Sequence, residues 1–429
     1  MSRTAAPLPL RLYSAAANLL GPLAYARTRR KLAAHGTPAA RWPERMGHAT
    51  LPRPDGRLVW FHAASVGESV SVLRLIAHWA ETRPDLEFLL TSGTATSAQV
   101  VASRLPPRTR HQFAPLDTQA AVRRFLAHWR PDAAIFVESE LWPQMLRESH
   151  AAGVPLALLN ARISDRSARN WQRAPRTALH LMGIFRIIRC QDARTVAHLH
   201  AIGLDRAQQG PNLKSLSGPL PFDKDEQTRL TAQIGDRPLW LAASTHPGED
   251  EIMLAAHQSL LATCPDALLI LVPRHPERGP ALETLITAHR LDAARRASGG
   301  QITARTQVYL ADTLGETGLW YALCPLTCLC GSFTPVGGHT PYEPAHAGSA
   351  ILHGPLYANF SETYPALDAS GAATQVSDAK SLSAALTTLL TDPTALDAMR
   401  RNARNFAASQ QDALGQITAD LSTALGLAP

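Results

Sequence analysis

Beyond residue 56, short apolar runs alternate with longer segments whose apolar residues recur every three or four positions. The short runs predict strands at Leu58–His62, Glu87–Leu90, Ala133–Val137, Pro155–Leu159 and Ile184–Arg189. Helices are predicted between them, for example Thr118–Trp129 and Glu140–Ala151. Strands alternating with helices imply a parallel α/β sheet. The stretch 210–238, rich in Pro and Gly, interrupts this rhythm and reads as a linker. The rhythm resumes with Leu239–Ala243, Ala267–Val272, Gln307–Leu310 and Leu326–Leu329, and a last helix is predicted near Ala395–Ser409. No internal repeat or low-complexity tract is visible. The pattern predicts two α/β domains with a cleft between them, and ligands in such sheets lie beyond the carboxyl ends of the strands.

The length, 429 residues, suits two domains, and 45% apolar with 18% charged residues marks a globular chain. The net charge of +7 fits anionic partners such as phosphorylated molecules or an anionic membrane surface. Nucleic acid is not expected, because there is no basic repeat, zinc-finger spacing or aromatic RNP-like strand. The five cysteines have no metal-site spacing and read as reduced, buried thiols in a reducing compartment. Leu12–Ala26 is an uncharged run of 15 residues, followed by Arg27, Arg29, Arg30 and Lys31. A spanning helix needs about 20 apolar residues. The run therefore reads as a helix lying in a membrane surface with its cations on anionic headgroups, or else as a buried core helix.

The loops after the strands hold the candidate chemistry. FHAASVGES places Glu68 near a helix N-terminus, where it is either a capping carboxylate or a general base. VESELWPQM puts Glu138 and Glu140 at a strand end, close enough to raise at least one pKa if both are buried. In NARISDRS, Asn160, Arg162 and Ser164 can orient a polar ligand, and Lys214 of NLK is either a cleft cation or an exposed linker lysine. In the second half, Ser244 and Thr245 precede a helix, and LVPRHPER sets Arg274 and His275 at a strand end. Gly315 and Glu316 follow another strand. In GSFTPVGGHTPYEPA, Gly337 and Gly338 form a turn, Thr340 and Pro341 look like an N-cap and first helical residue, and Glu343 can take ribose hydroxyls. Asp223 and Asp225 form a D-x-D pattern that reads as solvated surface, and no zinc site is predicted among the seventeen histidines.

Taken in order, RWPERMG, SVGE, ESELWP, NARIS, NLK, STHPGE, VPRHPER, GGHTPYEPA and the GP…NF element at 354–360 resemble the Kdo (3-deoxy-D-manno-octulosonic acid) transferases of lipopolysaccharide synthesis. The resemblance spans nearly the whole chain. It implies an α/β GT-B fold: two Rossmann-like domains facing a central cleft, plus an N-terminal membrane-associated helix. The implied boundaries are 1–40 for that helix and its basic flank, 41–215 for an acceptor-binding domain and 216–429 for a CMP-sugar-binding domain. It implies an inverting transferase that moves Kdo from CMP-Kdo to the lipid A precursor lipid IVA at the cytoplasmic leaflet of the bacterial inner membrane. No cofactor beyond the donor substrate and no metal is expected.

By position, the resemblance makes Glu68 the catalytic base and assigns transition-state stabilisation to Glu138 and Lys214. Pro273, Arg274, Leu314, Gly315, Glu316, Thr340, Pro341, Tyr342 and Glu343 match CMP-contacting positions. The chain departs from the family pattern at Thr340, where Asn is usual, at Pro211, inserted before N-L-K, and at Cys330, where Gly is usual. The rival readings are a GT-B transferase for another nucleotide sugar, an epimerase on the same fold, and a non-catalytic membrane scaffold.

Overall fold

The computed structural model describes residues 6–216, 218–409 and 412–428, with the side chains of Lys214 and Asp412 outside that set. The chain divides into two compact units, Met1–Ser217 with Asp412–Pro429, and Gly218–Gln411.

The first unit is built on seven parallel strands: β1 (Arg57–His62), β2 (Leu86–Ser92), β3 (Thr109–Phe113), β4 (Ala133–Val137), β5 (Leu156–Ala161), β6 (Phe185–Cys190) and β7 (Ala207–Gln209). Their order is β3-β2-β1-β4-β5-β6-β7. Successive side chains of a strand point to opposite faces. Leu58, Trp60, Ala134 and Phe136 therefore enter one core, while Val59, Phe61, Ala133, Ile135 and Val137 enter the other. Both faces are covered by helices, which is why these strands read as continuous apolar runs.

The second unit repeats the plan with β8 (Leu239–Thr245), β9 (Leu268–Pro273), β10 (Ala293–Arg295), β11 (Val308–Leu310), β12 (Leu326–Leu329), β13 (Ala350–His353) and β14 (Ala373–Gln375). Their order is β10-β11-β9-β8-β12-β13-β14, all parallel. Leu241 and Ile270 face one core, and Trp240 and Leu269 the other. In each sheet the chain leaves the first strand on one side and later returns to the other. The switch points are β1/β4 and β8/β12, where ligands of such sheets bind.

Several expectations need correction. The predicted linker contains a short turn of helix, Leu213–Leu216, and a full helix, Lys224–Ile234. Asp223 starts that helix by accepting from the amides of Asp225 and Glu226 at 2.9 and 3.2 Å. The helix expected from Glu140 begins at Pro143. The helix ending at Ser409 is not the last, since Asp412–Leu425 follows. That last helix belongs to the first unit, not to the domain expected over 216–429, because Leu414, Ile417, Leu421 and Leu425 pack into the core with Val59 and Phe61. All five cysteines are buried free thiols.

Candidate functional site

In the first unit, β1 ends at His62 and the chain turns into the helix Val66–Thr82. Ser65 is its N-cap, with Oγ accepting from the Glu68 amide at 3.2 Å. The same hydroxyl donates to Glu68 Oε1 at 2.8 Å, and the Ala64 amide donates to Oε2 at 2.9 Å. The carboxylate is thus fixed by two donors, one to each oxygen. Burial pushes its pKa above the ordinary glutamate range, Glu140 and Glu138 push the same way, and the Ser65 and Ala64 hydrogen bonds oppose. Capping and catalysis are therefore not alternatives at Glu68, because the cap is what orients the group.

Glu138 follows β4 with a left-handed backbone, φ +57°, and Asn160 in β5 has φ +53°. Such conformations are costly for residues other than glycine and cluster at functional sites. Asn160 Nδ2 lies 3.5 Å from Glu138 Oε1, and its Oδ1 accepts from the Leu213 amide at 3.2 Å. One buried amide therefore ties the E-S-E loop to the N-L-K turn. The Lys214 side chain lies outside the described residues. Arg162 carries a backbone carbonyl that accepts from Ser139 Oγ, and Ser164 caps the helix Asp165–Gln172.

Glu140 has one hydrogen-bond donor and one ionic neighbour. The Trp142 indole N–H donates to Oε2, and His62 Nε2 stands 3.5 Å from the same oxygen. Burial alone would raise the Glu140 pKa, but His62 and Trp142 outweigh it and hold the carboxyl below its ordinary range. The helix from Pro143 has no side-chain cap of its own. Asp117, which no motif in the sequence singles out, serves instead by accepting from the amides of Gln144 and Met145 at 3.1 and 2.7 Å.

The long helix Leu8–Ala34 also belongs to this unit. Tyr13 donates to Asp117 at 2.8 Å and Arg147 to Ser14 at 3.1 Å. Leu8, Leu12, Leu19, Leu20 and Leu23 are exposed, as are Arg27, Arg29, Arg30 and Lys31. Among the described residues no helix is long and apolar enough to cross a membrane.

In the second unit the switch point is lined by cations and imidazoles. His246, just past β8, and His339, in the loop after β12, meet with Nε2 atoms 2.9 Å apart. Burial lowers the pKa of both, that of His339 to about 4, with Arg274 adding to the effect. The contact needs a proton on one Nε2 only, so one imidazole donates and the other accepts. Glu249 is the hidden organiser, fully buried and accepting from the amides of His246 at 2.9 Å, Gly331 at 2.8 Å and Phe333 at 2.9 Å. Ser244 supports the same turn with φ +60°.

The expected donor residues follow three strands of this sheet: Pro273 and Arg274 at the end of β9 beside β8, Leu314 to Glu316 after β11 one strand further out, and Thr340 to Glu343 after β12. Pro273 closes β9 in register with Thr245, and the exposed Arg274 donates its amide to the Thr245 carbonyl at 3.0 Å. Leu314 is 81% exposed and Gly315 has φ +85°. Glu316 is held by Arg296 and Thr313. Burial opposes its ionisation, but these two bonds keep its pKa below the ordinary range. Gly337 and Gly338 have φ +97° and +81°, and a Cβ on Gly337 would come within 2.7 Å of Asn359. That close approach, with the Asn359 backbone amide donating to the Gly337 carbonyl at 2.9 Å, ties the glycine turn to the N-F element.

Thr340 is not the N-cap expected of it. The helix is Tyr342–Ala347, Pro341 precedes it without a side-chain cap, and Thr340 Oγ1 is enclosed without a hydrogen-bond partner. Tyr342 bonds Thr363 at 3.2 Å and stacks on Phe406. Burial raises the Glu343 pKa to about 7.

A family model described as 3-deoxy-D-manno-octulosonic-acid transferase (kdotransferase) matches residues 40–216. The probable mitochondrial 3-deoxy-D-manno-octulosonic acid transferase of Arabidopsis thaliana is 34% identical over 412 residues, covering 92% of this chain and 91% of that protein. The 3-deoxy-D-manno-octulosonic acid transferase of Rickettsia felis is 33% identical over 361 residues, covering 84% and 77%. Among solved structures, a putative UDP-N-acetylglucosamine 2-epimerase from Listeria monocytogenes aligns with TM-score 0.59 at 14% identity, over 87% of this chain and 98% of that one. At that identity the likeness shows the fold alone, which is of the GT-B type.

Proposed function

Because this chain belongs to the 3-deoxy-D-manno-octulosonic acid transferase family, a family of glycosyltransferases, we propose that it moves Kdo from CMP-Kdo to lipid IVA with inversion at the anomeric carbon. The observation that carries the reading is Glu68. It is a half-buried carboxylate at the β1/β4 switch point, oriented by Ser65 and Ala64 and made more basic than an ordinary glutamate by burial and by two neighbouring carboxylates.

Glu68 takes the proton of the acceptor hydroxyl as its oxygen attacks the anomeric carbon. The bond from that carbon to the CMP phosphate oxygen breaks on the opposite face, through an oxocarbenium-like state. Glu138 and Lys214 stabilise that state, Glu138 in the orientation that Asn160 gives it. Arg274 neutralises the departing phosphate, while positions 314–316 and 340–343 contribute contacts to the rest of the nucleotide. The scheme calls for no metal and no cofactor beyond the donor.

The lipid acceptor gives the helix Leu8–Ala34 its role. Its exposed leucines enter the headgroup boundary of the cytoplasmic leaflet, and the cluster Arg27–Lys31 meets anionic headgroups. The test is transfer from CMP-Kdo to lipid IVA by membranes containing the protein, with E68A beside the wild type. A product heavier by Kdo from the wild type alone supports the reading. A wild type that binds CMP but leaves lipid IVA unchanged overturns the acceptor, and displacement of the donor by UDP in place of CMP overturns the donor.

A further inference from the structure

Beside the base, the first unit holds a cavity of about 70 Å³ that the scheme above does not use. Its wall includes Arg45, His62, Ala64, Asp117, Trp142 and Met145. Ala64 is the residue whose amide holds Glu68 Oε2, so the cavity adjoins the catalytic carboxylate. Two nitrogens in this wall are enclosed without a hydrogen-bond partner, Arg45 Nε and His62 Nε2, the latter facing Glu140 only across 3.5 Å. Buried polar atoms are nearly always satisfied, so two orphans on one cavity mark a place where an oxygen is missing. His62 is only 1% exposed and is fixed from behind by Thr91 at 3.0 Å. At the rim Trp142 is 43% exposed, with its indole N–H tied down by Glu140.

Charge and size narrow the occupant. The Arg45 cation is opposed by the neighbouring Glu44 carboxylate, and Asp117 adds a second carboxylate to the cavity wall, so nothing there favours a phosphate or a carboxylate. A wall with a charged donor, an imidazole and an aromatic face suits a neutral hydroxyl-bearing group instead. Whole-ligand pockets run to about 300 Å³ or more, so this cavity takes one substituent of a ring and not the ring itself. Resting on the transferase reading above, we propose that the pocket is a sugar subsite. The acceptor's sugar ring lies on the exposed face of Trp142, and its hydroxyl-bearing arm reaches Arg45 Nε and His62 Nε2. This would seat the ring whose reacting hydroxyl Glu68 deprotonates.

The same hydroxyl chemistry is carried by the donor sugar, and kinetics separate the two. The experiment measures KM for each substrate and kcat with W142A and W142F in the full-length protein. The expected result is an acceptor KM raised about tenfold in W142A, largely restored in W142F, with the donor KM unchanged. A rise confined to the donor KM overturns the acceptor assignment, and unchanged KM values for both substrates overturn the subsite. A fall in kcat alone, not rescued by Phe, also overturns it, because a purely structural role for the indole predicts that pattern. If the wild type transfers no Kdo at all, the reaction reading itself fails, which is distinct from a wild type that works and variants that match it.

Discussion

The two units place a glutamate a few residues beyond the first strand of each sheet, and the two glutamates do different work. Glu249, after β8, is fully buried and spends its oxygens on three backbone amides of two loops. Glu68, after β1, accepts one amide and one hydroxyl and keeps a lone pair on each oxygen for a substrate. The surroundings differ in sign as well. Glu68 faces Glu138 and Glu140, whereas the β8/β12 switch point gathers His246, His339 and Arg274. On the proposed reading, one fold plan carries a proton-accepting carboxylate in the first unit and a phosphate-accepting switch point in the second, and the saturation of each glutamate separates a working group from scaffold.

The sharpest way to break that contrast is to neutralise each glutamate in turn. E68Q keeps an acceptor and a similar shape for the cap, and transfer is expected to fall by about 10²–10⁴-fold. CMP binding, read by thermal shift, should be unaffected. The sign of the stability change follows from linkage. A carboxyl whose folded pKa is raised contributes stability below its unfolded pKa and loses it as pH rises through the folded one. At neutral pH E68Q is therefore expected to melt at the wild-type temperature or slightly above. E249A should behave in the opposite way, leaving three enclosed amides unpaired at about 1 kcal/mol or more each. Its melting midpoint should fall by about 6 °C or more, and the donor KM should rise because the loops at 246 and 331–333 lose their common anchor. Melting curves that rank the two variants the other way would dissolve the distinction between a working and a structural glutamate.

A smaller effect concerns pH. The acidic limb of kcat/KM should lie above the ordinary glutamate range, since Glu68 must be ionised to act and burial with its two neighbours raises its pKa. E140Q removes one of those charges, so the limb should move to lower pH, with activity retained further into acid. A limb that stays in place means that Glu140 does not set the basicity of Glu68.

Much of this architecture is legible in the local pattern of the chain. Strands such as Ala133–Val137 lie between two helical layers, so they are apolar at every position and stand out. Thr109–Phe113, Ala207–Gln209 and Ala373–Gln375 do not stand out, because they are at or near sheet edges and carry polar residues. The helix Lys224–Ile234 is hidden by the Pro and Gly that precede it. No helix is predicted beyond Ser409, and only tertiary packing shows that Asp412–Leu425 lies against the helix Val66–Thr82 and the strands β5 and β6, more than 200 residues earlier in the chain. Glu138 and Arg274 are visible because each follows an apolar run directly, and Glu68 because it stands at the strand-to-helix turn after one. Glu249, Asp117 and His62 have no such signal, since their roles depend on atoms contributed by distant segments.

Thr340 gives the smallest and most discriminating test of the second switch point. Its hydroxyl is enclosed and unpartnered, as are those of Thr245 and Thr334 nearby in sequence to the same loops. An orphan hydroxyl of this kind is a cost to the free protein. T340V preserves the shape and removes the cost, so the variant free of ligand should be unchanged or more stable by about 1 kcal/mol or less. If the hydroxyl waits for the donor, the same substitution should weaken CMP binding, raising the donor KM a few fold while the acceptor KM stays put. Opposite movements of stability and donor affinity in one variant are what a ligand-facing group produces. A hydroxyl that is merely badly packed would raise stability and leave CMP binding alone, and Thr340 would then drop out of the donor site.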